Sequence, residues 1–342
     1  MRDRLSTPWL VLIVLSILCL VTFAASLMIG SVTIPVGEVF ASLGAGIRGH
    51  STNPIIWDVR VPRALSALTV GAILGASGAT YQGLFRNPLA DPYLMGAASG
   101  AAFGATIAMF VLGATTTGAW SSIALDFHWS VPSCAFAFGL GAVLLALLIS
   151  RGAQAGSDLI LAGVVVSAVL TGMTTWIMML DPARVHSVIA FTLGSMGHHG
   201  WSQALELLCW LFVTLPLLVA MGRILDAMQL GDDVMVSMGF QVERLRIGIL
   251  VAATIAVTAA VAKSGIIGFV GLIAPHIVRT AVGGRHSLLI VSSAVAGAIL
   301  LGLSDLVART VIAPGELPIG VITTLLGGPF FLILFWRQRR AR

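Results

Sequence analysis

Ten predominantly apolar runs, at 9–29, 62–84, 93–113, 131–150, 159–180, 203–222, 247–263, 266–283, 288–308 and 318–336, most narrow how this chain can fold. A helix of about 20 residues spans the hydrocarbon core of a bilayer, and in lipid only a helix or a closed barrel satisfies its own backbone donors and acceptors. The runs therefore predict an all-α, polytopic membrane protein of about ten transmembrane helices, folded as one domain over 1–342. Only 10% of the residues are charged and 58% are apolar, where about 25% charged is usual for soluble globular chains. A soluble protein is thereby excluded. The first run, Trp9 to Ile29, exceeds the core of a signal peptide, about 7–15 residues, and reads as a crossing that stays. The break at Lys263-Ser264-Gly265 is expected to be either a sharp turn or a short re-entrant one.

An even number of crossings puts both termini on one side. With the N-terminus inside, thirteen of the 19 Lys and Arg fall in the cytoplasm, and Arg48, Arg60, Arg63, Arg184, Lys263 and Arg309 fall outside. The positive-inside rule then favours N-in, C-in, and the outside minority needs a reason of its own. Small residues recur four apart at Gly71/Gly75, Gly96/Gly100/Gly104 and Gly163/Ser167. Such spacing lets helix backbones approach closely, so these stripes read as packing faces or, for some, as walls of a pathway. Cys19, Cys134 and Cys209 lie inside apolar runs with no close pair and read as buried small apolar residues.

No hydrolytic or redox constellation is present. Lys263-Ser264 follows Val261-Ala262 and not the glycines of a phosphate-cradling loop, so the chain is expected to have no nucleotide site and not to be an enzyme. His50, His128, His186, His198 and His199 fall on or near the outer face without a Cys or carboxylate at ligand spacing; no metal or cofactor is expected. His276, after Pro275, is expected to make a structural hydrogen bond. Asp305 and Arg309 lie four apart and can pair on one helix face, either as a functional charge at membrane depth or as a snorkelling pair. Glu316 is expected to favour the N-terminus of the last helix. The 225–246 loop places Met228, Val234, Met235, Met238 and Phe240 among acidic residues and glycines, so its short amphipathic pieces need a cover, from this chain or from a partner.

The motifs RVPR (60–63), GAILGASGATYQ (71–82), RNPLADP (86–92), LILAG (159–163), LGDDVMVSMG (230–239), IGFVGLIAPHIVR (267–279), DLVAR (305–309) and GELPIGVITTLLGGPFF (315–331) occur in this order. Together they cover nearly the whole chain, which resembles the permease subunits of type II ABC importers, the family that takes up ferric siderophores, haem and cobalamin. The resemblance implies a multi-pass protein of the bacterial inner membrane that translocates a metal chelate delivered by a periplasmic binding protein. It implies a homodimer with two separate ATPase subunits, and no nucleic acid. By the same resemblance, Arg60, Arg63 and Arg309 dock the binding protein. Asn87, Leu89, Gly156 and Ser157 form the cytoplasmic gate. Leu230, Gly231, Asp232, Asp233, Met235, Met238 and Gly239 couple to the ATPase, and Met173, Trp176 and Met178 line the path. The chain departs from the family pattern at Gly156, where a relative has a hydroxyl residue, and at Met235-Val236, where alanine and a polar residue are more frequent. The competing reading is an ion-coupled secondary transporter or channel, but such folds carry ionisable residues near the midplane, and here the carboxylates cluster at helix ends and loops.

Overall fold

The computed structural model describes residues 3–30, 32, 34–47, 53–115, 127–150, 156–197 and 199–340; Arg48, His50 and His198 lie outside the described residues. The described residues contain α-helices and short helical turns and no strand. The helices are α1 (Asp3–Met28), α2 (Val36–Ile47), α3 (Val61–Leu84), α4 (Ala97–Thr115), α5 (Phe127–Ile149), α6 (Gly156–Leu180), α7 (Val185–Leu193), α8 (Trp201–Met228), α9 (Asp232–Ser237), α10 (Val242–Ser264), α11 (Val270–Val282), α12 (His286–Ala308) and α13 (Ile319–Arg340). Each of the ten apolar runs coincides with one helix. Seven of these, α1, α3 with the turn before it, α5, α6, α8, α10 and α12, are long and apolar enough to cross a bilayer, and apolar parts of α4, α11 and α13 are shorter. The short helices α2 and α7 carry no run of their own and were not expected, whereas α9 falls in the 225–246 loop where short amphipathic pieces were expected.

The outside of the bundle is as apolar as its inside. Trp9, Leu10, Ile13, Val14 and Ile17 of α1, and Phe212 and Val213 of α8, are all exposed. In water such a continuous surface would drive association; in lipid it is the matched solvent, and the chain is a multi-pass membrane protein. Cys209 belongs to that outer surface and Cys19 and Cys134 are only partly buried, which corrects the expectation that all three cysteines are buried.

Lipid tails are as apolar as the helices, so burial of apolar area cannot pull the helices together; close backbone contact must. It does so around α3, which is buried along almost all of its length. Gly71 and Gly75 face Gly297 and Ser293 of α12 so closely that an added Cβ would collide with the backbone of the opposite helix. The glycine stripe of α3 is a packing face.

The break between α10 and α11 takes Gly265 at φ 71° and Phe269 at φ 67°. The chain passes through two left-handed residues and restarts as the 13-residue α11. Residues 90–96 fold back into the bundle after α3. There Asp91 and Met95 are buried, and the Tyr93 hydroxyl donates to the Ile267 carbonyl at 3.0 Å.

Overpacking a rigid backbone contact costs about 1–3 kcal/mol or more. Gly75→Val is expected to lower the thermal unfolding temperature of the detergent-solubilised protein sharply or to prevent its folding. Gly141→Ala, where nothing lies within 4 Å of the added Cβ, is expected to leave that temperature unchanged or slightly raised.

Candidate functional site

The C-termini of α1 and α12 and the N-terminus of α3 meet at one end of the bundle. Arg60, in the turn Ile55–Arg60 before α3, donates to the carbonyls of Leu27 at 2.7 Å and Met28 at 3.1 Å, and to that of Val32. It thereby serves carbonyls at the end of α1 that have no partner within the helix. Arg63 grips Asp305 with Nε and Nη2, at 3.0 and 2.9 Å, and donates through Nη1 to Glu316 at 2.8 Å. Arg309 donates to the Ser26 carbonyl at 2.7 Å and lies 3.6 Å from Asp305. The sequence paired Asp305 with Arg309. The closer, two-pronged partner is Arg63, and 242 positions of sequence separate it from Asp305. Glu316 pairs with Arg63 and does not serve as a lone charge at the last helix.

The three arginines are buried, as is Asp305 at 1% exposure, whereas the Glu316 side chain is 44% exposed. Buried charge is tolerated only where it is paired and hydrogen-bonded. Here each guanidinium meets carbonyls or carboxylates, and Glu316 is the member of the cluster that faces outward.

At the opposite end, α3 stops in a turn at 85–89. Arg86 takes φ 49°, and the Asn87 Oδ1 accepts from the Leu89 N–H at 2.9 Å, an Asx-type closure that suits Asn before Pro. Arg86 to Leu89 are exposed. Gly156 opens α6, and Ser157 beside it is exposed. Both parts of the expected gate thus reach the surface of a single chain.

The 225–246 loop lies at this end too. Gly231, at φ 112°, lets the chain turn into α9. Leu230, Val234, Val236, Met238 and Phe240 are exposed, as are Asp233 and Gly239. Met228 and Met235 are buried, at 2% and 1% exposure. Met235 packs into the bundle and holds α9 on it, while its neighbour Val236 faces outward. Asp232 receives Arg246 at 2.8 and 2.6 Å and Arg86 at 3.0 Å. Burial alone would raise the Asp232 carboxyl, but hydrogen bonds and charge from Arg246, and then Arg86, hold it below its usual range. Its stabilisation is complete above the unfolded carboxylate value of about 4 and is lost as pH falls through the lower folded value, so the bridge is ionic at neutral pH. The sequence named Asp232 but neither arginine partner; the only signal was an RNP motif and a DD pair of opposite charge at expected loops.

The expected path residues do not share one face. Met173 and Trp176 are exposed on α6, three residues apart and so on one side. Met178 points the other way into a small recess beside Asp181 and Arg184. His276 stands edge-on to the Phe330 ring, with centroids 5.5 Å apart, where a hydrogen bond was expected. His199 is buried, its Nε2 3.0 Å from the Lys263 carbonyl.

A model of the FecCD transport family matches residues 18–337. The chain is 38% identical over 319 residues to the uncharacterized ABC transporter permease protein YvrB of Bacillus subtilis, covering 91% of this chain and 89% of that protein. It is 37% identical over 300 residues to the hemin transport system permease protein HmuU of Yersinia pestis, covering 85% and 87%. A solved structure of a metal-chelate type ABC transporter in an inward-facing conformation aligns with a TM-score of 0.82 and 30% identity, over 95% of this chain and 98% of that one.

Removing one partner of a buried pair leaves an uncompensated charge and costs about 3–5 kcal/mol. Asp305→Ala, which strands Arg63 and Arg309 together, is expected to destabilise the protein by that amount in denaturant or thermal unfolding. Glu316→Gln, on a half-exposed side chain, is expected to cost about 1 kcal/mol or less.

Proposed function

The chain belongs to the FecCD transport family, and from that premise we propose that it is an importer permease carrying a metal chelate inward across the bacterial inner membrane. Ferric siderophores, haem and cobalamin are the candidate cargo. The ten helices that coincide with apolar runs are the crossings, with both termini in the cytoplasm. Two copies form the channel, two ATPase subunits bind the end that carries α9, and a periplasmic binding protein delivers the chelate at the arginine end.

The observation that carries this reading is the outward apolar face of α9 and its flanks. Leu230, Val234, Val236 and Met238 are exposed on a six-residue helix that is itself pinned to the bundle by buried Met235. An isolated helix of that length has no stability of its own, so its surface is held in place for something to cover. The exposure of those side chains at a polar bundle end favours a protein groove over lipid. Hydrolysis in the partner then moves α9, and the gate turns at Asn87, Leu89, Gly156 and Ser157 open or close in response. Met173 and Trp176 line the path, and Met178 supports that wall from behind.

At the other end, Arg60, Arg63 and Arg309 give the docking face its positive field, which governs encounter rate and register. Their direct partners are internal, so docking works by exchange. An acidic side chain of the binding protein takes the place of the outward-facing Glu316 on Arg63.

Apolar anchors at the centre of an interface typically cost about 2 kcal/mol or more when lost. Met238→Glu with Val236→Glu is expected to abolish co-purification with the ATPase subunit while the permease remains monodisperse. In proteoliposomes, uptake of haemin or another metal-chelate probe is expected to require the ATPase and ATP; uptake driven by an ion gradient without ATP overturns the reading. For docking, Glu316→Gln is expected to strengthen binding-protein association and Arg63→Gln to weaken it, measured on protein that still elutes as folded. Unchanged affinity in both variants removes the exchange assignment.

A further inference from the structure

Three connections join the C-terminal end of α3 and the turn after it to the segment that leads into α9. Gln229 Nε2 donates to the Gly83 carbonyl at 3.1 Å. Arg86 donates to the Met228 carbonyl at the end of α8. Arg86 also meets Asp232 at 3.0 Å, and the same carboxylate takes Arg246 on both oxygens. Only the last of these reaches α9 itself. The first two hold the end of α8 against the turn, whatever α9 does.

Arg86 is a non-glycine residue at φ 49°, a conformation that costs about 1–3 kcal/mol and persists only when its surroundings hold it. Its side chain is spent entirely on α8 and α9. One guanidinium therefore bridges the turn at 86–89 to both the end of α8 and the first turn of α9. Asp232 sits in the first turn of α9, where a carboxylate also suits the helix dipole. Both of its oxygens nevertheless point at arginines, one from the gate turn and one from the start of α10.

We propose that Asp232 is a positioning residue that ties α9 to the turn at 86–89, so that displacement of α9 is delivered to Asn87 and Leu89 through Arg86. Arg246 holds the carboxylate in register by fixing it to α10, which keeps the bridge aimed at Arg86 as α9 moves. The inference rests on the importer reading, in which α9 is the element a partner ATPase pushes. It assigns the load to a charge bridge and not to the apolar contacts that seat the partner. The bridge is half-exposed, with side-chain exposures of 40% for Arg86 and 43% for Asp232. Such a contact can be made and broken without stranding a buried charge.

The test uses the full permease with its ATPase subunit in nanodiscs. Cys19, Cys134 and Cys209 are replaced by alanine, and Leu89→Cys is the probe, labelled by a membrane-impermeant maleimide with and without ATP. ATP hydrolysis is measured alongside, and the change in labelling rate is expressed per ATP hydrolysed. Asp232→Asn is expected to reduce that nucleotide-dependent change about fivefold or more, the lower range of coupling between sites, and Asp232→Glu to restore most of it. Arg86→Gln is expected to match Asp232→Asn, and the double variant to be no worse than either single one, as for two members of one link. A role in folding alone would lower the yield of intact complex without changing the response per ATP hydrolysed. An undiminished response in Asp232→Asn, or additive losses in the double variant, overturns the link. If the parent hydrolyses ATP and Leu89→Cys never responds, the link fails while the importer reading stands. If the parent neither binds nor stimulates its ATPase, both fail.

Discussion

The contact between α3 and α12 is the constraint on which the structure depends. In lipid no solvent pushes helices together, so stability comes from how closely two backbones can lie. Gly71, Gly75 and Gly297 permit an approach that any side chain would prevent. Once α3 is enclosed by its neighbours, its charged residues can sit only at its ends. Arg60 and Arg63 lie at one end and Arg86 at the other. Each of them then has to find partners on whatever element reaches that end, and those partners are α1, α12, α8 and α9. The placement of the ionic clusters follows from the packing of an element whose central part carries no charge.

The long apolar helices were legible in the sequence because the lipid constraint is local: a helix must satisfy its own backbone within one run, and one run is enough to show it. The short helices α2 and α7 were not, because at 12 and nine residues they rely on tertiary contacts that no window of sequence contains. The same limit explains the side chains. Charge at Arg63 was visible, but Asp305 and Glu316 lie more than 240 positions away, so only the nearer pairing of Asp305 with Arg309, which forms at 3.6 Å, was legible. In the 225–246 loop the apolar residues were visible as a group. Met235 turns in and Val236 turns out because α9 rests on the bundle along one side, and spacing alone cannot choose that side. Cys209 shows the converse: an apolar run does not reveal which of its faces meets lipid.

The two ends of α3 use the same chemistry in different surroundings. At the arginine end the shared carboxylate, Asp305, is 1% exposed and held by two prongs of Arg63. At the other end the shared carboxylate, Asp232, has a 43% exposed side chain. A pair of charges interacts more strongly as the effective dielectric falls, and water at the surface screens it. Removing a partner at the first site strands a buried charge, whereas breaking the second lets each group return to water. A bridge worth about 1 kcal/mol biases an equilibrium about fivefold, enough to favour one arrangement of the turn at 86–89 without locking it. The arginine end is thus built as a fixed clamp and the α9 end as a reversible latch. Of the two ends, only the latch can exchange its partners without stranding a buried charge, and the turn carrying Asn87 and Leu89 lies there.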